Sequence, residues 1–391
     1  MLVIFILNVN ISFAAVTKII YSTQQFKLSS YNFDVVLPKN YQLELVLELD
    51  RPRIISISKK GEMFIGSKSG YLYRLSSPYN KVIKLVKLNN YPHSVVVRNN
   101  FIYIAQTNGL YRAPYKFGQR KISINSVVKY ISLPGGYGHN SRTIRLGLDN
   151  KLYLSLGLSG NCSNQFIGKS YPLSQQRGGV VVLNEKNKLQ WLPFATGLRN
   201  PVGYDWHPKS GMMYASNNGP DHWGFNLPRE YFSKLTPDSF HGMPWFQVIN
   251  DKITKDKCIK TISPLSEKNV HKPVQTFDAR NAPMAVAFII NGPIAKKHYG
   301  DAVVALHGSW AVPEKGKLKA SKAGRRKPKL VLVRFDNGVS IRVDDFVTGF
   351  QLKNGSRWAR PVGVINAPDG SIYFTSDGGI NGLFRIKKIK K

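Results

Sequence analysis

One hydrophobic pattern recurs along the chain: an alternating apolar strand, a turn carrying Gly, Asp or Asn, then a second strand rich in Tyr or Phe. Its copies are Ile55–Gly66, Val95–Ala105, Ile144–Ser155 and Tyr204–Ala215, then a divergent pair from Val286-Ala-Phe to Val303-Val-Ala-Leu306, and Val364–Phe374. Six copies of one hairpin type predict an all-β fold, a six-bladed β-propeller whose short sheets bury their faces on one another around an axis. A double β-sandwich is the alternative, and a recurring hairpin of a single type disfavours it. The spacing of the copies, about 40 to about 80 residues, leaves room for loops inserted over the active-site face, the longest at 219–280 and 310–328. No interdomain linker interrupts the pattern, so residues 16–391 read as one propeller domain.

Before the first copy, Met1-Leu-Val-Ile-Phe-Ile-Leu runs into Ser12-Phe-Ala-Ala15, an apolar stretch ending in small residues. Residues 1–15 therefore read as a signal peptide, although no Lys or Arg precedes the apolar run. A periplasmic or secreted protein without a transmembrane segment is expected. Charge sharpens this picture, since 56 Lys and Arg against 22 Asp and Glu give +34. The lysines are scattered rather than gathered on one helix or strand, which points to association with an anionic envelope surface and not to nucleic acid. Lys387, Lys388, Lys390 and Lys391 form a basic tail expected in solvent, and 315–329, with Arg325 and Arg326, reads as a flexible polar loop. Cys162 and Cys258 could pair in an oxidising compartment or stand as two free thiols.

Three segments resist explanation as strand filler: Gly135–Arg142 before the third copy, Thr196–Gly203 with Asn217–Asp221 around the fourth, and Gly355–Gly363 before the sixth. Taken singly, each has a structural explanation, a turn tied by an arginine or a satisfied core histidine. Radial symmetry would gather them at one end of the axis. There His139 offers a general base, and Arg199, Asn200, Arg357 and Arg360 offer fixed donors around a pocket suited to an anion. The carbonyls of Gly219 and Pro220 are hard ligands suited to Ca2+.

In order, Gly138–Gly157, Gly197–Gly203 with Asn218–Asp221, Gly300–Trp310, Arg360–Val364 and Ser376-Asp-Gly-Gly379 resemble the soluble pyrroloquinoline-quinone-dependent sugar dehydrogenases, especially the branch similar to L-sorbosone dehydrogenase. The resemblance runs from about Arg51 to the C-terminus. It implies a quinone-dependent oxidation of an aldose, a sorbosone-like aldehyde or a related alcohol, with electrons leaving to an unidentified acceptor. In that reading His139 takes the substrate proton, and Arg199 and Asn200 stand beside the reactive quinone carbonyl. Gly219 and Pro220 would hold Ca2+, and Arg360 and Arg357 would pair with cofactor carboxylates.

The chain departs from the family in two places. His222-Trp-Gly-Phe-Asn-Leu-Pro228 stands where the family carries an acidic run, which weakens the case for a second calcium ion. No lysine matches the family's cofactor-binding lysine; Lys315, Lys317 or Arg280 would have to supply that cation. A calcium-dependent propeller hydrolase acting on a lactone or phosphoester would need more inward carboxylates than these segments contain. A non-catalytic propeller binding glycans or envelope polymers would suit the positive charge.

Overall fold

The computed structural model describes residues 18–28, 31–186, 188–312 and 321–389. The proposed signal peptide, Lys315, Lys317, Lys390 and Lys391 lie outside them. Six sheets form a ring, and the six hairpins read from the sequence are the two inner strands of its six blades. The first blade is Pro52–Ile57, Met63–Ser67, Tyr71–Leu75 and Val82–Lys87; the second is Ser94–Arg98, Phe101–Gln106, Gly109–Pro114 and Val128–Ser132. Blade three is Ile144–Leu146, Leu152–Leu156, Gly179–Asn184 and Gln190–Thr196, and blade four is Tyr204–Trp206, Met213–Asn217, Glu230–Leu235 and Gln275–Phe277. Blade five is Pro283–Phe288, Ala302–Leu306, Lys329–Asp336 and Val339–Val347.

Blade six joins Pro361–Asn366, Ile372–Ser376 and Gly382–Lys388 to Tyr41–Glu48, so both ends of the propeller share one sheet. The expected solvated tail begins in the sheet: Lys387 and Lys388 end a paired strand, Lys387 Nζ meets Glu44 at 2.7 Å, and Lys388 is exposed. Pairing across a sequence gap this large closes the ring and removes two sheet edges.

The described residues form several cores rather than one. Buried apolar side chains fall into clusters between neighbouring blades, for example Phe64, Leu72, Val95 and Ile104 between the first and second. Tyr214, Phe232, Val286 and Val304 do the same between the fourth and fifth. This is what alternation in a twisted sheet gives when both faces are covered by neighbours. Hydroxyls stitch the same junctions: Ser94 donates to Arg142 O, Thr143 to Val202 O, Ser216 to Met284 O and Thr375 to Arg53 O. Each such bond contributes about 1 kcal/mol.

The insertions are more structured than expected. Residues 219–280 contain two strands of blade four, a short strand Ser239–Phe240 added parallel to blade three, and a hairpin Phe246–Ile249 with Lys252–Lys255. Phe166, Phe240, Trp245 and Ile259 give that region an apolar core of its own. Arg325 and Arg326 also belong to ordered structure, since Arg326 N and O both bond Ser309 and Arg326 Nη2 donates to Asn226 at 2.8 Å. Cys162 and Cys258 are joined in a disulfide with Cα atoms 5.4 Å apart. The bond ties the loop after the second strand of blade three to the hairpin region. No helix among the described residues is long and apolar enough to cross a membrane.

Candidate active site

In every blade the inner strand starts, and the second strand ends, at the same end of the ring, while short turns such as Asp149–Lys151 lie at the other. All three segments singled out in the sequence therefore sit at one end. The structure divides their residues into two groups, one on blades three and four and one on blades five, six and one.

The first group centres on His139. Its Nδ1 lies 2.5 Å from Leu158 O, a contact only a protonated Nδ1 can make, which leaves Nε2 with its lone pair. Among the described residues Nε2 has no hydrogen-bond partner. The backbone here is held from below: Arg142 Nη1 and Arg177 Nη2 each donate to His139 O at 2.9 Å, and Arg177 reaches Gly135, Tyr137 and Gly157 carbonyls as well. Gly157 explains how His139 meets Asn200, because a Cβ there would fall 2.5 Å from both Asn200 Oδ1 and His139 Cβ. Burial, then the positive charge of Arg199, pushes the His139 ring down to about 4. The ring is thus neutral at physiological pH and able to accept a proton.

Arg199 is buried, with Nε 2.8 Å from Asn161 Oδ1 and Nη2 3.0 Å from Asp221. The Asn200 backbone N–H donates to Asn217 Oδ1 at 2.9 Å. Burial lowers the Arg199 guanidinium, and Asp221 and Glu230 oppose that. Glu230 is itself fully buried; desolvation pushes it up to about 7 although Gly219 N donates to it and both arginines lie near.

Arg280 does not present a free guanidinium to a ligand as the sequence suggested. Its donors are committed to Pro220 O at 2.6 Å, Gly224 O at 2.8 Å and Leu227 O at 2.6 Å, with Asp221 at 3.5 Å. The carbonyl of Pro220, expected on a calcium ion, is one of the three that accept from Arg280. A divalent ion on that oxygen would face a buried guanidinium, so the Pro220 carbonyl does not fit Ca2+ as it stands. The loop that follows is tied by Asp256, which takes His222 Nε2 at 2.8 Å and Trp223 Nε1 at 3.1 Å.

The second group surrounds Asp377. Arg53 Nη1 approaches it at 2.5 Å, His307 Nε2 at 2.7 Å and Lys68 Nζ at 3.3 Å. Against burial, which alone would raise it, Arg53, His307 and Lys68 hold this carboxyl well below the usual range. Arg360 joins through His307 O at 3.1 Å and Gly308 O at 3.2 Å. Arg357 bonds Gln351 Oε1 at 2.9 Å and Arg326 O at 3.0 Å. Burial followed by repulsion from Arg360 and Arg325 pushes Arg357 down to about 10. Burial depresses Arg360 too, Asp377 opposes it, and Arg325 and Arg53 add to the depression. Guanidiniums that destabilise one another around one carboxylate make a site for an anion. Trp358 anchors the segment, with its ring 4.8 Å from Phe33 and 5.1 Å from Phe26.

Arg53, Lys68, Asn161 and Glu230 were not among the sequence candidates. Arg53 carried no direct signal: the Arg51-Pro52 entry to blade one matches Arg360-Pro361 at blade six, which points to the exposed Arg51 instead. Lys68 and Glu230 carried none, because their roles depend on partners more than 10 positions away in sequence.

No family model matches the chain. A protein of Borreliella burgdorferi, itself uncharacterised, is 27% identical over 365 residues, 90% of each chain. Among solved structures, the calcium form of a Trichoderma reesei enzyme of Carbohydrate-Active Enzymes Family AA12 superposes with a TM-score of 0.74 at 16% identity, covering 93% of this chain and 99% of that one. The holo PQQ domain of pyranose dehydrogenase from Coprinopsis cinerea gives 0.68 at 18%, covering 91% and 97%. The PQQ-bound aldose sugar dehydrogenase of Streptomyces coelicolor gives 0.61 at 13%, covering 90% and 99%. These likenesses establish the fold, the one that the sequence motifs imply.

Proposed function

We propose that this propeller is an oxidoreductase that binds pyrroloquinoline quinone and oxidises an aldose, a sorbosone-like aldehyde or a related alcohol. The observation that carries the proposal is His139: a neutral ring in a fixed tautomer, its Nε2 without a hydrogen-bond partner among the described residues, beside the buried cation Arg199. A general base needs a lone pair aimed away from its own scaffold, and an adjacent cation favours the negative charge that hydride arrival creates. The quinone, when bound, supplies the two-electron acceptor. Arg360 and Arg357 would hold its carboxylates, joined by Lys68 and Arg53 in place of the family's lysine. An anion settling among these cations relieves their mutual repulsion, which is the fit this group of residues offers.

Substrate proton transfer falls to His139. Leu158 O holds its Nδ1 proton, and Arg142 and Arg177 keep the ring from swinging away by fixing its backbone. Arg199 holds its orientation through Asn161 and Asp221. Near the first group, Asp221 and Glu230 are both engaged by arginines or backbone amides, which leaves little for a calcium-dependent hydrolase. The like-folded proteins whose names carry PQQ and a sugar support the same reading. Export to the periplasm or beyond fits the apolar start and the disulfide, and the net charge of +34 suits an anionic envelope.

The test is a titration of the purified protein with pyrroloquinoline quinone, followed by a screen of aldoses and aldehydes with an artificial dye acceptor. A saturable bound-quinone spectrum with quinone-dependent dye reduction is expected. Dye reduction without quinone, or none with it, would overturn the reading.

A further inference from the structure

We propose that Arg280 takes the place of a divalent cation in the loop 219–228, so that the loop is closed by the chain's own guanidinium and the active-site end needs no calcium. The inference rests on the reading above for its place in catalysis, but its physical argument stands on the loop alone.

Three carbonyls of one loop, those of Pro220, Gly224 and Leu227, converge on a single buried side chain. Convergent carbonyls with a carboxylate beside them are the usual surroundings of a hard cation. Here the centre is Arg280, 5% exposed, with Asp221 Oδ1 3.5 Å from Nη1. A guanidinium satisfies such oxygens with its planar fork of N–H donors and stays charged throughout the physiological range.

The backbone is arranged to deliver it. Arg280 and Ala282 both adopt left-handed conformations, φ 69° and 53°, which non-glycine residues avoid unless the surroundings impose them. The sequence agrees, because the stretch His222–Pro228 brings no acidic side chain that could add a ligand for an ion. Glu230, the other nearby acid, already accepts from Gly219 N and is pushed toward its neutral form. A calcium ion brought to Pro220 O would have to displace one of the three Arg280 contacts to this loop and then sit beside the displaced charge.

Calorimetric titration of CaCl2 into the quinone-free protein, with thermal melting in EDTA and in calcium, tests this directly. The wild type should show no calcium binding up to about 1 mM, the weak end of protein calcium sites, and the same Tm in EDTA and in calcium. R280A should melt several degrees lower in EDTA and recover part of that loss in calcium. Where R280A fails to fold, R280Q keeps the stem and carries the same comparison. Micromolar calcium binding by the wild type, or a variant whose melting ignores calcium, would overturn the proposal. Quinone titration of the wild type with and without EDTA is read separately: failure to bind quinone at all removes the proposed function and leaves the calcium comparison standing.

Discussion

The two halves of the active-site end solve opposite electrostatic problems. Around His139 the cations are satisfied within the chain: Arg199 and Arg280 share Asp221 and lie near Glu230, and Arg142 and Arg177 are held by backbone carbonyls. Around Asp377, Arg53, Lys68 and His307 share one carboxylate, with Arg360, Arg357 and Arg325 crowded beside them. A balanced half can hold a reactive group in one orientation with nothing bound. An unbalanced half is completed by an anion. On the proposed function, binding and chemistry fall to different blades, so substitutions in the two halves should fail in different ways.

The largest effect is expected at His139. His139→Ala should lower turnover by about a hundredfold or more, the usual scale for a lost general base, while quinone affinity and Tm stay close to wild type. Steady-state kinetics beside a melting curve checks it; unchanged turnover would remove His139 from the chemistry, and collapse of the fold would mark it as a core histidine.

Arg199 and Arg360 should then separate. Arg360→Ala should weaken quinone binding by roughly tenfold to a hundredfold, on the scale of a charge-assisted hydrogen bond, and recover turnover at high quinone. Arg199→Ala should lose turnover even at saturation, because its contact strengthens as charge develops. If excess quinone rescues both variants equally, the division between the halves is wrong.

The disulfide acts first on stability rather than on turnover. Closing a loop of 96 residues limits the unfolded chain by about 4 to 5 kcal/mol in the entropy model, an upper figure. Cys162→Ser and Cys258→Ser should therefore lower Tm by the same amount, and a clear difference between them would contradict the pairing. Asn161, next to Cys162, bonds Arg199 Nε, so both variants should also lose some turnover while Arg360-dependent binding holds.

The smallest effect is on pH. Burial lowers His139 and His307 to about 4 and His241 to about 3, against the ordinary 6.5 of an unfolded chain. Between about 6.5 and 4 the unfolded state binds more of these protons, so stability rises with pH through that window and is lost on acidification. Glu230, pushed up to about 7, works in the opposite sense between 4.5 and 7 and reduces the net slope. Chemical denaturation at pH 4.5, 5.5 and 6.5 should show the midpoint climbing; a flat or falling series would mean these rings titrate normally.

The fold was legible because a propeller repeats its hairpin, and alternation with a Gly, Asp or Asn turn survives in every blade but the fifth, whose inner strands are joined through a short helix, Gly292–His298. Ring closure was not, since Tyr41–Glu48 precedes the first repeat and resembles any edge strand. His139, Arg199 and Arg360 could be found because each enters an inner strand at a corresponding position. Arg280 could be located but not interpreted: its role depends on three carbonyls of a loop whose path no local pattern fixes. Lys68 and Asp377 meet only through the closed ring, across 309 positions of sequence. The same holds for the cysteines, whose spacing allowed pairing without requiring it.

The central claim is that the cation-rich half binds an anionic quinone and the His139 half does chemistry on its partner. Equilibrium titration with pyrroloquinoline quinone of the wild type, His139→Ala and Arg360→Ala tests it most directly. Saturable binding by the wild type, retained in His139→Ala and weakened at least tenfold in Arg360→Ala, is the expected result. No binding by the wild type, or equal binding by Arg360→Ala, would contradict it.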